Sequence, residues 1–275
     1  MKKILVPTDL SPLATNALDV AADLARTHQA EIILLHTMLY PLVVQPTGAY
    51  TPEYVTLMAE SYETAYQEVE EALRKQVADP NYAGVRIEIK LTNNLDGLVR
   101  SINDQSPDLI VLASEGASGL MEWLEGSNAE HIVRHANCPV LVIKQPVKHF
   151  QPQNILGVID MDDKLKTFHP YPFQLTDQGL QQFVYVLTPT DSRQPEGIRE
   201  WMNEFALAKG IAHYNLAICR APTVSEGILA YAEEIKADLI VLYTHGYTGL
   251  RHWIQGSVAE DVLNHSVCPV LIMRV

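Results

Sequence analysis

Two glycine-rich segments hold the residues with the clearest chemical potential. In the first, Leu112-Ala113 ends an aliphatic run and is followed by Gly116, Gly119 and then Gly126-Ser127-Asn128; in the second, Tyr243 stands where Ala113 does, and Gly246, Gly249 and Gly256-Ser257 follow at the same spacing. A run that ends in small residues, passes through glycines and enters a helix at Gly-Ser is suited to holding phosphate. Glycine lets the backbone turn with positive φ and approach a ligand, while the first amides of the helix and the serine hydroxyl present donors at its positive end. Tight turns and a serine cap need the same residues, so on residue type alone the two readings stand level.

Other reactive types are weaker candidates. Asp9 follows the run ILVPT and offers a carboxylate as acceptor or base. His36 ends an aliphatic run and reads as a core or site-wall histidine. His131 and His135 have the four-residue helical spacing that zinc sites use. No third ligand is near in sequence, and in the second segment His135 recurs as His265 whereas His131 becomes Asp261, which favours surface helix residues. Neither Ser11 nor Ser127 has an evident His-Asp pairing. Of the three cysteines, Cys138 and Cys268 occupy matching places just before a final aliphatic run, where a small apolar side chain fits; there is no Cys-x-x-Cys. Binding therefore ranks above catalysis.

The glycine segments are parts of a longer repeat. Asp108 to Ile143 (DLIVLASEGASGLMEWLEGSNAEHIVRHANCPVLVI) returns as Asp238 to Met273 (DLIVLYTHGYTGLRHWIQGSVAEDVLNHSVCPVLIM), with Trp123 and Trp253 as matched packing residues. The 275 residues suffice for two domains, each with its own core. Apolar residues make up 47% of the chain, but no uninterrupted apolar run reaches a membrane-spanning length of about 18 residues. MKKILV meets Asp9 before a signal-peptide core develops, so it reads as a strand, and the expected compartment is the cytoplasm. A net charge of −13, spread over both halves, repels phosphate backbones and anionic lipid and so excludes nucleic acid and membrane as partners.

The elements that must position these residues alternate in type. KKILVPTDL is a buried strand running into the helical pattern LATNALDVAADLA. AEIILLHTM is a second strand, followed by a loop from Tyr40 to Pro52 and a helix from Pro52 to about Ala78. VRIEIKL (Val85 to Leu91), a helix from Asp96 to Asn103, a strand from Asp108 to Ala113, a helix from Ser127 to His135 and a strand from Pro139 to Ile143 complete the first copy. Strands joined by helical crossovers imply a doubly wound, Rossmann-like parallel sheet with ligands at the carboxyl ends of its strands, where Asp9, Thr37 and Ala113 meet. The expected fold is two tandem α/β domains, 1–146 and 152–275, each with a five-stranded parallel sheet, joined by a linker from Lys144 to Gln153. In the second copy NILGVID puts Asp160 in the place of Asp9, and QFVYVLTP matches Thr188 to Thr37. That copy lacks most of the Tyr40 to Pro52 loop. Its first-helix segment reads DDKLKTFHPYPFQLT, where Pro170 and Pro172 preclude one regular helix, each costing about 3 kcal/mol inside one. Phe168, Tyr171 and Phe173 there either repack the sheet face or line a new surface.

ILVPTDLS at the start, LLHT at the end of the second strand, the glycine-rich segment and the closing CPVLVI together resemble the universal stress protein family in a tandem two-domain form. The resemblance implies an adenine nucleotide, ATP, ADP or AMP, with Mg²⁺ as a possible companion. Pro7, Thr8, Asp9, Thr37, Leu112 and Ala113 would face the adenosine, and Gly116, Gly119, Gly126, Ser127 and Asn128 the phosphates. The sequence departs from the family's Gly-x2-Gly-x9-Gly-[Ser/Thr] at Ala113, which replaces the leading glycine, and at Glu115, a negative charge where histidine is usual. In the second copy Tyr243 is expected to fill part of the nucleotide volume, leaving Asp160, Thr188, Gly246, Gly249, Gly256 and Ser257 as the weaker site. The resemblance also implies that the fifth strands pair the two domains as an internal pseudo-dimer, with a homodimer of whole chains as a further possibility. The function it implies is a cytoplasmic stress-response module that senses a nucleotide. A nucleotide-free interaction scaffold and a slow ATPase are the alternatives; neither the Ser-Gly-Gly-x-Asp-Ser loop of ATP pyrophosphatases nor the His-x-Gly-His of nucleotidyl transferases is present.

Overall fold

The computed structural model describes residues 1–38, 52–93, 97–114, 128–167, 171–173, 181–244 and 258–274. The first strand, β1 (Lys3–Pro7), is built on Ile4, Leu5 and Val6, all fully buried. Ile4 and Val6 face one core layer and Leu5 the other, as a central strand covered on both faces requires. The chain then turns through Leu10 at a left-handed φ of 67° into α1 (Pro12–His28). Ser11 caps that helix, its Oγ accepting the Ala14 N–H at 3.1 Å, and Pro12 stands in its first turn, where no backbone donor is needed.

The remainder of the first half is β2 (Glu31–Met38), α2 (Pro52–Val77), β3 (Arg86–Asn93), α3 (Leu98–Asp104), β4 (Leu109–Ala113), α4 (Asn128–His135) and β5 (Val140–Ile143). The second half runs β6 (Ile155–Val158), β7 (Gln182–Leu187), α5 (Pro195–Lys209), β8 (Asn215–Arg220), α6 (Val224–Glu234), β9 (Leu239–Thr244), α7 (Val258–His265) and β10 (Val270–Arg274). Helices α1, α2 and α5 cover one face, and α3, α4, α6 and α7 the other. The strands form one sheet in the order β3-β2-β1-β4-β5-β10-β9-β6-β7-β8. Pairs within each half are parallel, and β5 meets β10 antiparallel with Leu141 opposite Leu271 and Val140 opposite Ile272. The two five-stranded halves thus join through β5 and β10 into one ten-stranded sheet, which covers the apolar edge strand VLVI.

The two halves repeat small devices. Asp108 accepts the backbone N–H groups of Lys2 and Lys3 at 2.6 and 2.9 Å, and Asp238 accepts those of Gln153 and Asn154 at 2.8 and 3.0 Å. Met161, with φ of 63°, turns the chain after β6 as Leu10 does after β1. Beyond it the halves diverge: the described residues that follow Met161 form a 3-10 turn, Asp163–Lys166, capped by Asp162. Phe173 is buried, edge-on to Phe150 at 6.1 Å between centroids and near His28 of the first half at 6.5 Å, so it repacks the core; Phe168 lies outside the described residues. Large aromatics complete that layer, with Phe183 edge-on to Phe205 at 5.6 Å and Trp201 stacked on Phe205 at 5.4 Å.

The segment from Lys144 to Gln153 packs against the first half: Lys144 and Phe150 are buried, and the Phe150 N–H donates to Asp23 on α1 at 2.9 Å. One expectation is corrected. The counterpart of Thr37 is Val186 rather than Thr188. Thr8 N–H donates to the Leu35 carbonyl and Ile159 N–H to that of Val184, which puts Val186 at the Thr37 register and Thr188 just past the end of β7. A shift of two residues keeps every side chain on its face, so the alternating pattern of QFVYVL fits either register. Val186 also explains Gly227: a Cβ there would lie 2.5 Å from Val186 Cγ1, so α6 approaches β7 only without a side chain.

Candidate functional site

Between β1 and β4 the strand order reverses, leaving a crevice at their carboxyl ends. A cavity of about 350 Å³ opens there, and Pro7, Thr8, Asp9, Thr37, Leu112 and Ala113 all line it. Helix α4 begins beside it at Asn128. Gly116, Gly119, Gly126 and Ser127 lie outside the described residues, as do Glu115, Trp123 and Trp253. The wall also includes Ser11, the cap of α1, which the sequence offered only as a nucleophile, and Ala14 of α1, Leu98 of α3 and Ile132 of α4, which it did not single out as site residues. One signal for them existed: a helix that starts within a few residues of a strand end, as α1 does after β1, lays its first turn over the crevice.

Local hydrogen bonds fix the polar groups of this wall. Asp9 Oδ1 accepts the Ser11 N–H at 2.9 Å, Thr8 Oγ1 accepts the Leu10 N–H at 3.1 Å, and Thr37 Oγ1 lies 3.2 Å from Thr92 Oγ1. His36 lines the cavity, and its Nδ1 donates to the Thr8 carbonyl at 2.8 Å. Burial raises the Asp9 carboxyl, but the Ser11 hydrogen bonds and the His36 charge outweigh it and hold the group below its ordinary value of 3.8. Asp9 is therefore an ionised acceptor at neutral pH and a poor proton-abstracting base.

Immediately beyond β4, Ser114 is fully buried and its Oγ accepts from Lys144 Nζ at 3.0 Å. Burial pushes the Lys144 ammonium from 10.5 down to about 8. Between those two values the unfolded chain binds more protons than the folded one, so stability rises with pH. At roughly 1.4 kcal/mol per unit, the stability difference between the wild type and Lys144→Met is expected to change by about 2 kcal/mol between pH 8 and pH 10. Urea unfolding of both proteins at the two pH values checks this; parallel curves would sink it.

The second half has a cavity at the matching place, about 570 Å³, lined among others by Asp160, Tyr185, Thr188, Asp191 and Arg193. Tyr243 is not among its lining residues. Its buried phenol packs in the core, with its hydroxyl 2.5 Å from that of Tyr171, so it anchors the divergent segment instead of filling the cavity. Gly246, Gly249, Gly256 and Ser257 lie outside the described residues. Sequence reading missed Tyr185, Asp191 and Arg193, although a charged pair directly after a buried strand was a usable signal.

The His131 and His135 rings lie 4.2 Å apart between centroids, tilted by 33°, and His135 Nδ1 donates to the His131 carbonyl at 2.9 Å. Among the described residues no group of three His, Cys, Asp or Glu side chains is placed to hold a metal ion, and no helix is long and apolar enough to cross a membrane. Burial raises the Cys138 thiol to about 12, which leaves it unreactive.

A family model described as the universal stress protein family matches residues 1–144 and 181–274. A universal stress protein of Methanocaldococcus jannaschii is 32% identical over 150 residues, covering 54% of this chain and 84% of that protein. One from Mycolicibacterium smegmatis is 23% identical over 288 residues, covering 98% of this chain and 96% of that protein. Among solved structures, a universal stress protein from Archaeoglobus fulgidus DSM 4304 covers 99% of this chain and 98% of its own, with a TM-score of 0.67 at 23% identity. A putative universal stress protein from Pseudomonas aeruginosa UCBPP-PA14 covers 100% and 93%, with a TM-score of 0.57 at 16% identity. The family model falls in two blocks on the two halves of one sheet, and the chain belongs to the universal stress protein family.

Proposed function

We propose that the cavity at the ends of β1, β2 and β4 binds an adenine nucleotide, ATP, ADP or AMP, and that its occupancy sets the contacts this chain makes as a stress-response module. The observation that carries the reading is the convergence of Pro7, Thr8, Asp9, Thr37, Leu112 and Ala113 on one crevice at the start of α4. In this reading Asp9, ionised and held by Ser11, accepts from the adenosine hydroxyls or amine, while Leu112 and Ala113 pack against the base. Gly116, Gly119, Gly126, Ser127 and Asn128 hold the phosphates at the amino end of α4, with Mg²⁺ offsetting Glu115. The halves are folding units 1–146 and 152–275, and the pairing of β5 with β10 is their internal pseudo-dimer contact. Free thiols at Cys138, Cys219 and Cys268 support a cytoplasmic setting.

Titration of the full chain with ATP and Mg²⁺ by calorimetry tests the reading. One site per chain is expected, with Asp9→Ala weakening binding by about tenfold to a hundredfold through loss of charge-assisted hydrogen bonds, and Gly126→Val doing at least as much. Because the Asp9 carboxyl lies below its ordinary range, affinity should be level from pH 5 to pH 8 as far as this group is concerned. Absence of binding would favour the nucleotide-free scaffold, and sustained turnover lost in Asp9→Ala would favour an ATPase.

A further inference from the structure

Helix α4 has one end at the first cavity and the other at the junction of the two halves. It begins at Asn128 beside the cavity, and Ala129 and Ile132 line the wall. Its eight residues make a rod about 12 Å long, so the hold on its last turn also sets where its first turn lies.

The carbonyls of a last turn lack helical partners and need donors from elsewhere. The Ala136 N–H still donates to the Ile132 carbonyl at 2.8 Å. The next amide, that of Asn137, leaves the ladder and donates to Asn103 Oδ1 of α3 at 3.1 Å, so the Val133 carbonyl loses the partner four residues on. A guanidinium takes its place: Arg274 Nη2 donates to the Val133 carbonyl at 2.7 Å. Arg274 ends β10, in the other half. The antiparallel register that sets Val140 opposite Ile272 brings it alongside Cys138, just past α4, and its charge is felt at that thiol. A cation is favoured there, at the negative end of the α4 dipole.

We propose that Arg274 is a positioning residue for the nucleotide of the first half: it holds the last turn of α4 from across the junction and thereby fixes the amino end of that helix against the phosphates. The proposal rests on the nucleotide reading of the first cavity. Adenosine in that reading is held mainly by strand ends, whereas the phosphates depend on where α4 begins. Loss of Arg274 therefore acts on the phosphate share of the affinity. The matching residue of the first half, Lys144, donates to Ser114 within its own half. Corresponding cations thus hold different elements, and the first-half site is completed by the second half.

Calorimetric titration of the full chain with ATP and Mg²⁺, and separately with adenosine, tests this in the wild type, Arg274→Met and Arg274→Lys. The wild type should bind ATP more tightly than adenosine. Arg274→Met keeps an apolar stem without the donors, and should weaken ATP by about fivefold or more and adenosine by less than about twofold. The bond to Val133 runs through one nitrogen, so Arg274→Lys, with a cation still at the helix end, should stay within about twofold of the wild type for both ligands. A purely structural role would lower stability and leave the ratio of the two affinities unchanged in the folded protein. The proposal is overturned if Arg274→Met weakens ATP and adenosine alike, or if Arg274→Lys binds ATP as weakly as Arg274→Met. Arg274→Gln repeats the comparison if Arg274→Met does not fold. A wild type that binds no ATP overturns the nucleotide reading and this proposal together; ATP binding that survives the loss of Arg274 undiminished overturns this proposal alone.

Discussion

Tyr243→Ala is expected to lower the free energy of unfolding by about 3–5 kcal/mol, the range for emptying a buried aromatic position. Tyr243 is only 4% exposed, lies in the core layer beneath the divergent segment and meets the Tyr171 hydroxyl. Truncation leaves a void and strips Tyr171 of a partner. Tyr243→Phe keeps the ring and removes only the hydroxyl, so it should cost about 1–2 kcal/mol. The contrast between the two separates a packing role from a polar one, and denaturant unfolding measures both. Because Tyr243 does not line the second cavity, neither variant should raise the ATP stoichiometry. A near-neutral Tyr243→Ala that gains a second nucleotide site would restore the view of this side chain as an obstruction.

Leu271→Asp is expected to be at least as damaging, at about 4 kcal/mol or more, since it places a carboxylate at a fully buried position with no cation opposite. Leu271 faces Leu141 across the antiparallel junction of β5 and β10, and both are 0% exposed. The loss should fall on both sides of the junction, so amide exchange in β5 and β10 should quicken together. Val267→Asp, four residues away but 73% exposed, serves as the control and should stay within about 0.5 kcal/mol of wild type. A cost below about 1 kcal/mol for Leu271→Asp would mean that the junction contributes little to the fold.

How much of this was legible in the sequence varies with the kind of interaction. β1 was readable because three consecutive aliphatic residues can all be buried only in a strand covered on both faces, and the alternation with helices then fixed a doubly wound sheet. The site was readable for the same reason: Pro7, Thr8, Asp9, Thr37 and Ala113 are strand ends, and strand ends of such sheets converge. What escaped depends on neighbours remote in sequence. Lys144 looks like the start of a solvated linker, and only the packed structure buries its ammonium beside Ser114. The register of Thr188 escaped because a two-residue slip leaves the hydrophobic pattern intact. Tyr243 was located correctly in the chain but not in direction, because Tyr171, its partner, comes from a segment with no helical or strand signature. The Tyr185, Asp191 and Arg193 cluster is made by one turn after β7, and turns of that kind are recognised by their hydrogen bonds more than by their composition.

The covalent joining of β5 and β10 in one chain has a consequence for variation. Where two identical subunits meet, every substitution occurs twice and must suit both copies of the interface. Here a substitution occurs once, and the junction forms at the effective concentration of a tethered pair, so dilution does not separate its halves. One half can therefore follow its first strand with a 3-10 turn, bring Phe173 against Phe150 and place an arginine beside its cavity while the other carries Pro7, Thr8 and Asp9 at its crevice. The sheet tolerates asymmetry because its central seam asks only for apolar residues at Leu141 and Leu271, and leaves each outer crevice to its own chemistry.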